Sequence, residues 1–284
     1  MKNILLPTDF SENSKNAIDY ALKLFKNELC TFYFLHVQKA SNYITDDLMT
    51  AHSNESIYRS VLVNSKKELI DYVNRLRVER KTNSHIYKEL ADYDSLTDAI
   101  NQVVSSKKID LIVMGTNGAT GASEAIFGSN TLKVLRNVYC PTITIPENIK
   151  YQNPEKILFL CNSHVKLTSK LLEPLMDLCV KFNSELFFLQ TESEAQMSIL
   201  QKNNLEGIKK LYRKFKITSQ SIIDVPVADA INTIVRLKNI QFGFILLKKE
   251  TFIERLLLGS ETDDINYNSR IPLLFLHENK AFHS

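Results

Sequence analysis

A short apolar run leads into a glycine-rich segment at residues 111–131, LIVMGTNGATGASEAIFGSNT. The 284-residue chain contains only seven glycines, and four of them lie in this segment: Gly115, Gly118, Gly121 and Gly128. An average glycine content of about 7% would give about twenty in a chain of this length. The concentration of a scarce residue at one place indicates a backbone that must approach another group closely.

Short apolar runs alternate with helical periods on both sides of this segment. Apolar residues recur at helical spacing over 17–25 and again over 96–104, where Ser95 and Asp98 form a capping box at the start of the period. Such alternation predicts a parallel sheet with right-handed crossovers, an open α/β fold. The runs predicted to be buried strands are Ile4–Leu6, Thr31–Val37, Leu111–Met114 and Thr142–Ile145.

The pattern of the first half recurs in the second. Lys2–Leu6 has a counterpart at Lys156–Leu160, and Asp98–Asn101 recurs as Asp229–Asn232 at an offset of 131 residues. Length and repeat together predict two tandem domains, residues 1–149 and 150–284, each an open parallel five-stranded sheet flanked by helices. The first half holds about 22 extra residues, which we place around Ser41–Ile57.

Composition and charge exclude several classes of protein. With 44% hydrophobic and 24% charged residues, the chain is neither disordered nor fibrous, and a net charge of +3 is too small to indicate nucleic-acid binding. No apolar run approaches the roughly 18 residues of a membrane span, and no signal-peptide core follows Met1, so we expect a cytoplasmic protein with no membrane partner. The cysteines lack metal-ligand spacing, which predicts buried, reduced thiols at Cys30, Cys140, Cys161 and Cys179.

The glycine-rich segment lies between a predicted strand and a helix predicted at Leu132–Arg136. Ligands of open parallel sheets bind at the carboxyl ends of the strands. Free N–H groups at the helix start, with the hydroxyls of Ser129 and Thr131, would form a phosphate cradle. No lysine or arginine lies between Lys108 and Lys133, so backbone amides, the helix dipole or a metal ion would have to hold the anion. The alternative is a flexible turn with no ligand.

The spacing of the glycines differs from two familiar nucleotide motifs. Neither the Walker pattern GxxxxGK[ST] nor GxGxxG after the first strand is present. The chain has instead GxxG-x9-GS at residues 115–129, with PTD at residues 7–9 after the first strand and LHV at residues 35–37 closing the second. In this combination the sequence resembles the universal stress protein family, and similarity over both halves indicates a tandem member.

The resemblance implies a Rossmann-like fold of the adenine nucleotide alpha hydrolase type and a site for ATP or AMP, with Mg²⁺ as a candidate companion ion. By matching position, Asp9 and Val37 would contact adenine or ribose, and residues 128–131 would hold the phosphates. Asp9 could instead be the N-cap of the following helix, and we expect His36 to be a packed histidine and not a catalyst. The residues assigned to the nucleotide are Pro7, Thr8, Asp9, Val37, Met114, Gly115, Asn117, Gly118, Gly128, Ser129, Asn130 and Thr131.

The second half lacks the glycine pair. Residues 242–260 read FGFILLKKETFIERLLLGS, which keeps only Gly259 and Ser260, and Asn162 stands where the first half has Asp9. We therefore predict that residues 150–284 are a degenerate domain without nucleotide. The resemblance implies that the two halves pair through their last strands, and a homodimer of the whole chain is left open.

The leading hypothesis is a non-enzymatic stress-response or regulatory protein that binds an adenine nucleotide at one site in its first half. No Ser/His/Asp set, Cys/His set or pair of carboxylates has a spacing that supports dedicated catalysis. Two alternatives stay open. One is a protein-interaction module that acts without nucleotide. The other is a slow ATP hydrolase, for which the sequence offers no obvious general base unless Glu124 reaches the phosphates.

Overall fold

The computed structural model describes residues 1–38, 54–93, 95–116, 127–160, 167–191, 197–211, 213, 215–247 and 270–277. In the first half the described elements are β1 (Lys2–Pro7), α1 (Glu12–Leu24), β2 (Cys30–Val37), α2 (Asn54–Glu79), β3 (His85–Asp92), α3 (Leu96–Lys107), β4 (Leu111–Gly115), α4 (Ser129–Asn137) and β5 (Thr142–Ile145). In the second half they are β6 (Lys156–Leu160), α5 (Ser169–Phe182), β7 (Glu185–Gln190), α6 (Ile199–Leu211), β8 (Ile217–Ser221), α7 (Val227–Lys238), β9 (Phe242–Leu247) and β10 (Leu273–His277).

The described strands form one ten-stranded sheet in the order β3-β2-β1-β4-β5-β10-β9-β6-β7-β8. Neighbouring strands are parallel within each half, which confirms the predicted open α/β fold. The two five-stranded arrays join where β5 and β10 pair antiparallel, with Thr144 opposite Leu273 and Thr142 opposite Phe275. This pairing covers the edge that each array would otherwise expose, which is a physical reason for the two arrays to be continuous.

The antiparallel seam sets the direction of each half. Because all strands of one half run parallel and β10 runs opposite to β5, the carboxyl ends of the two halves lie at opposite edges of the sheet. A ligand site at the carboxyl edge of the first half is therefore remote from the corresponding edge of the second.

Helices cover both faces of the sheet. On one face α1, α2, α5 and α6 pack in a single apolar cluster that spans both halves and includes Phe34 and Phe159. On the other face α3 and α4 cover Leu5 and Ile112, whereas α7 and part of α4 cover Leu158 and Phe275. Burial on both faces explains why strands such as β4, whose residues are all buried, are continuous apolar runs.

Several boundaries differ from the sequence prediction. Helix α4 begins at Ser129, three residues before the predicted start, because small polar residues in a first turn carry no apolar periodicity. Helix α2 has 26 residues, whereas its counterpart α6 has 13. Part of the extra length of the first half therefore lies in α2 and is not confined to residues 41–57. Residues 39–53 lie outside the described ranges.

Two predictions about individual residues are confirmed. The Ser95 hydroxyl caps α3 by accepting a hydrogen bond from the Asp98 N–H at 3.2 Å. Cys30, Cys140 and Cys179 are free and buried, and burial raises the pKa of the Cys30 thiol to about 11. Cys161 lies outside the described residues.

In the described part of the chain, the structure contains no helix with the length and hydropathy required to cross a membrane.

Candidate functional site

The carboxyl ends of β1 and β4 mark the point where the strand order of the first half reverses. From β1 the chain proceeds outward to β2 and β3, then returns to β4 on the other side of β1. Loops diverge to opposite sides at such a switch point and leave a crevice between them, which is where open parallel sheets bind their ligands.

The turn after β1 is tied to both β2 and α1. Thr8 is buried, its N–H donates to the Leu35 carbonyl at 2.8 Å, and its hydroxyl lies 3.0 Å from that of Ser14. Its hydroxyl also accepts a hydrogen bond from the N–H of Phe10, whose φ of 62° is unusual for an aromatic residue. These bonds fix the path of residues 7–11 across the carboxyl edge.

Asp9 is exposed at this edge, but it is not the cap of α1. Its Oδ1 accepts hydrogen bonds from the N–H of Ser11 at 3.1 Å and from the Ser11 hydroxyl at 2.6 Å. The N-cap is Ser11, whose hydroxyl accepts from the Ser14 N–H at 3.2 Å. The alternative of Asp9 as N-cap was therefore wrong, since the chain needs two more residues to turn before the helix starts. Asp9 orders that turn by holding Ser11.

The end of β2 lies beside the same turn. His36 Nδ1 is 2.9 Å from the Thr8 carbonyl, and its ring packs on Phe10 with centroids 4.6 Å apart. His36 is thus a packed histidine, as expected. Val37 is half-buried against the cluster under α3 and α4, and the buried Met114 belongs to the same cluster. The Met114 side chain lies in the core beneath the edge, so only its backbone can face a ligand.

The two ends of the glycine-rich segment are joined by hydrogen bonds. The Gly128 N–H donates to the Thr116 carbonyl at 2.7 Å. The Thr131 hydroxyl, which is buried, lies 3.0 Å from the Gly115 carbonyl and 2.9 Å from that of Thr116, to which it donates. The Thr131 hydroxyl therefore donates its hydrogen bond to the end of β4 and fixes the start of α4 there.

The N-terminus of α4 has the features of an anion site. Gly128 is its N-cap with extended backbone and no side-chain capping bond, and the first turn carries no acidic residue. The first amides of a helix have no partner within the helix, and the dipole makes that end positive. Ser129 is exposed and Asn130 half-exposed beside these amides. Such a helix start can bind phosphate or carboxylate groups.

Gly115 allows α1 to lie directly against the end of β4. A Cβ at this position would be only 2.7 Å from Asn13 Nδ2, and the Asn13 side chain is buried. The close approach brings the first turn of α1 to the side of the switch point opposite α4. A glycine is needed here because of space, with no demand for an unusual φ.

The structure brings most of the predicted site residues to one edge of the sheet. Pro7, Thr8 and Asp9 follow β1, Val37 ends β2, Gly115 ends β4, and residues 128–131 start α4. Asn117, Gly118, Gly121 and Glu124 lie outside the described residues, as do Asn162, Gly259 and Ser260 of the second half.

The sequence prediction missed three residues that shape this edge. Ser11 could have been found, because a serine just before the first helical period is a usual N-cap. Asn13 and Thr116 gave no signal, since their roles come from the packing of α1 on β4 and from the return of the chain at Gly128.

The fold is that of an open α/β protein, and its candidate ligand edge lies at the switch point of the first half. Residues 1–146 match the model of the Universal stress protein family, and the chain belongs to that family. The match covers the half that carries the glycine-rich segment.

Individual relatives agree with this assignment. Two proteins of Methanocaldococcus jannaschii are similar to half of the chain: universal stress protein MJ0531 is 26% identical over 144 residues, which is 51% of this chain and 81% of its own. Universal stress protein MJ0577 is 27% identical over 157 residues, 51% of this chain and 94% of its own. The crystal structure of a universal stress protein from Archaeoglobus fulgidus is similar in fold over both halves, with a TM-score of 0.68 at 17% identity, covering 97% of this chain and 98% of that chain.

Proposed function

We propose that this protein binds an adenine nucleotide, ATP or AMP, at one site in residues 1–149 and acts as a nucleotide-responsive stress or regulatory protein. The observation that carries the proposal is the glycine-capped N-terminus of α4, which hydrogen bonds from Gly128 and Thr131 hold at the end of β4. Membership of the universal stress protein family, whose sites the sequence pattern resembles, supports the same proposal.

In this proposal the phosphates lie at the first turn of α4. The backbone amides of that turn donate to the phosphate oxygens, Ser129 and Asn130 add side-chain contacts, and Thr131 supports them from inside. Asp9 and Val37, at the ends of β1 and β2, would contact the ribose or adenine. A Mg²⁺ ion would bind together with the phosphates, as is usual for nucleotide complexes.

We assign a different role to residues 150–284, that of a built-in partner without nucleotide. The pairing of β10 with β5 supports this assignment, because it covers the edge strand of the first half. The absence of the glycine pair from residues 242–260 supports it as well.

The test is a calorimetric titration of the full chain with ATP and AMP in the presence of Mg²⁺, together with mass spectrometry of nucleotide released on denaturation. We expect about one equivalent of adenine nucleotide to be released or bound. If none is released and none binds, the nucleotide proposal is wrong and the interaction module takes its place. Phosphate release from ATP in the same preparation tests slow hydrolysis.

A charge variant locates the site. Ser129→Asp puts a carboxylate at the first position of α4, where it repels phosphate but interacts favourably with the helix dipole. We expect it to weaken ATP binding about ten-fold or more without loss of thermal stability. Ser169→Asp is the matched control, since Ser169 is the exposed first residue of α5 in the second half and should leave binding unchanged. Equal affinities of the two variants would place the phosphates elsewhere.

A further inference from the structure

We propose that β10 of the second half positions the phosphate-binding end of α4, with Phe275 and His277 as positioning residues. The identity of the ligand rests on the proposed function. The packing of β10 against α4 does not depend on that function. In this proposal the second half, which lacks the glycine pair, helps to form the nucleotide site of the first half.

Helix α4 lies across the seam between the halves. Its Val134 packs in the cluster of its own half, with Leu5 and Ile112. Its Leu132 and Leu135 belong instead to the cluster of the second half. The helix thus packs against the apolar clusters of both halves, and its position depends on both.

At its N-terminal end, α4 is held through an aromatic pair. Phe127, next to the Gly128 cap and only 2% exposed, meets Phe275 edge to face, with ring centroids 6.0 Å apart at 81°. Phe275 lies opposite Thr142 in the β5–β10 ladder, so the sheet fixes its place. The residue that enters the helix cap therefore rests on a side chain of the other half.

At its C-terminal end, α4 is held by the last residue of β10. The His277 ring lies near the backbone of Leu135 and Val138 and packs on Tyr139 with centroids 4.9 Å apart. Side chains alternate along β10. Leu273 and Phe275 join the cluster on the α4 face, whereas Leu274 and Leu276 join the cluster on the opposite face. One short strand thus contacts both ends of the helix.

The position of β10 therefore affects the start of α4. A shift of β10 along β5 would move Phe275 away from Phe127 and loosen the first turn of the helix. The amides of that turn must point in one direction to bind an anion. Ordering a loosened site on binding costs affinity, so the second half should contribute to affinity without contacting the ligand.

The experiment compares two conservative core variants of the full chain. Phe275→Leu removes the ring beneath Phe127, whereas Phe244→Leu makes the same change on neighbouring β9, in the cluster on the opposite face. Both Phe side chains are buried, so both variants should lower the melting temperature. Only Phe275→Leu should raise the Kd for ATP, by about five-fold or more, and speed hydrogen exchange at the amides of residues 128–132.

The outcomes separate positioning from general stability and from the proposed function. Equal effects of the two variants on Kd and exchange, or no effect of Phe275→Leu on either, would overturn the positioning role. If the wild-type protein binds no ATP, the proposed function fails, and exchange at residues 128–132 alone decides the positioning. Should Phe275→Leu not fold, Phe127→Leu removes the same ring contact from the side of the helix and is judged by the same measurements.

Discussion

Gly115 ends β4 at a place where α1 leaves no room for a side chain. The nearest atom to a Cβ there is the Asn13 amide nitrogen at 2.7 Å, and the buried Asn13 has little space to retreat. Gly207, on α6, is the opposite case, with no atom within 4 Å of its Cβ position. Two glycines of one chain thus have opposite tolerances, which the sequence alone does not distinguish.

These environments predict opposite responses to the same substitution. Gly115→Ala should lower the free energy of unfolding by about 1–3 kcal/mol, because overpacking displaces the first turn of α1. Gly207→Ala should raise it by about 0.5–1 kcal/mol, because alanine is the better helix former. Urea unfolding followed by circular dichroism measures both. A Gly115→Ala protein as stable as the wild type would contradict the close packing of Asn13 on β4.

At the scale of single residues, the sequence predicts positions better than orientations. Gly128 and Ser129 were placed in the segment that leads into the helix because the cue is local, a glycine followed by small polar residues after a strand. Thr131 was expected to face the phosphates, but its hydroxyl hydrogen goes to backbone carbonyls. Asp9 was considered as a cap, but Ser11 has that role. A short polar side chain turns toward whatever the folded chain brings near, and that depends on contacts distant in sequence.

Helix ends show which boundaries of elements a sequence can predict. Ser95 was predicted as part of a capping box because it stands directly before an apolar period, and the structure confirms it. The start of α4 was predicted three residues late, because its first turn has no apolar member to begin the period. The strands were found from their apolar runs. The predictions for β1 and β2 were too short by three residues and one residue, because Lys2, Asn3, Pro7 and Cys30 also belong to the ladder.

The cap of α3 gives a prediction at the scale of the element. Ser95→Ala removes the hydroxyl that accepts from the Asp98 N–H and should lower the free energy of unfolding by about 1 kcal/mol. Ser105→Ala changes an exposed serine within the same helix and should be neutral or stabilising by up to about 0.5 kcal/mol. Chemical unfolding of both variants measures the difference, and equal stabilities would contradict the capping role of Ser95.

The assembly of the two halves could be predicted only in part. The repeat shows that there are two similar units, since similar patterns recur in the same order in both halves. It does not show that the sheet is continuous or which side chains meet across the seam, because those contacts join residues that are far apart in the chain. An example is the ion-pair network of Lys2, Glu28, Asp177 and Lys181, which links the start of β1 and the turn between α1 and β2 to α5.

This network predicts how the stability of the whole molecule depends on pH. Burial opposes the ionisation of Glu28, but hydrogen bonds and charge from Lys181, and then from Lys2, outweigh it and lower the pKa of Glu28 below its usual 4.5. A carboxyl whose pKa is lowered on folding stabilises the protein above its unfolded pKa, and this contribution is lost as pH falls through the folded pKa.

Glu28→Gln should therefore lower the free energy of unfolding by about 1–2 kcal/mol at pH 7. The difference from wild type should shrink as the pH falls below about 4.5. Glu12→Gln, which changes an exposed carboxyl paired with Lys15 one turn away, is the control and should alter stability little at either pH. Urea unfolding at pH 7 and at acidic pH measures the free energies of unfolding of both variants and the wild type. If the difference between Glu28→Gln and wild type stays constant with pH, the charge of Glu28 does not join the halves.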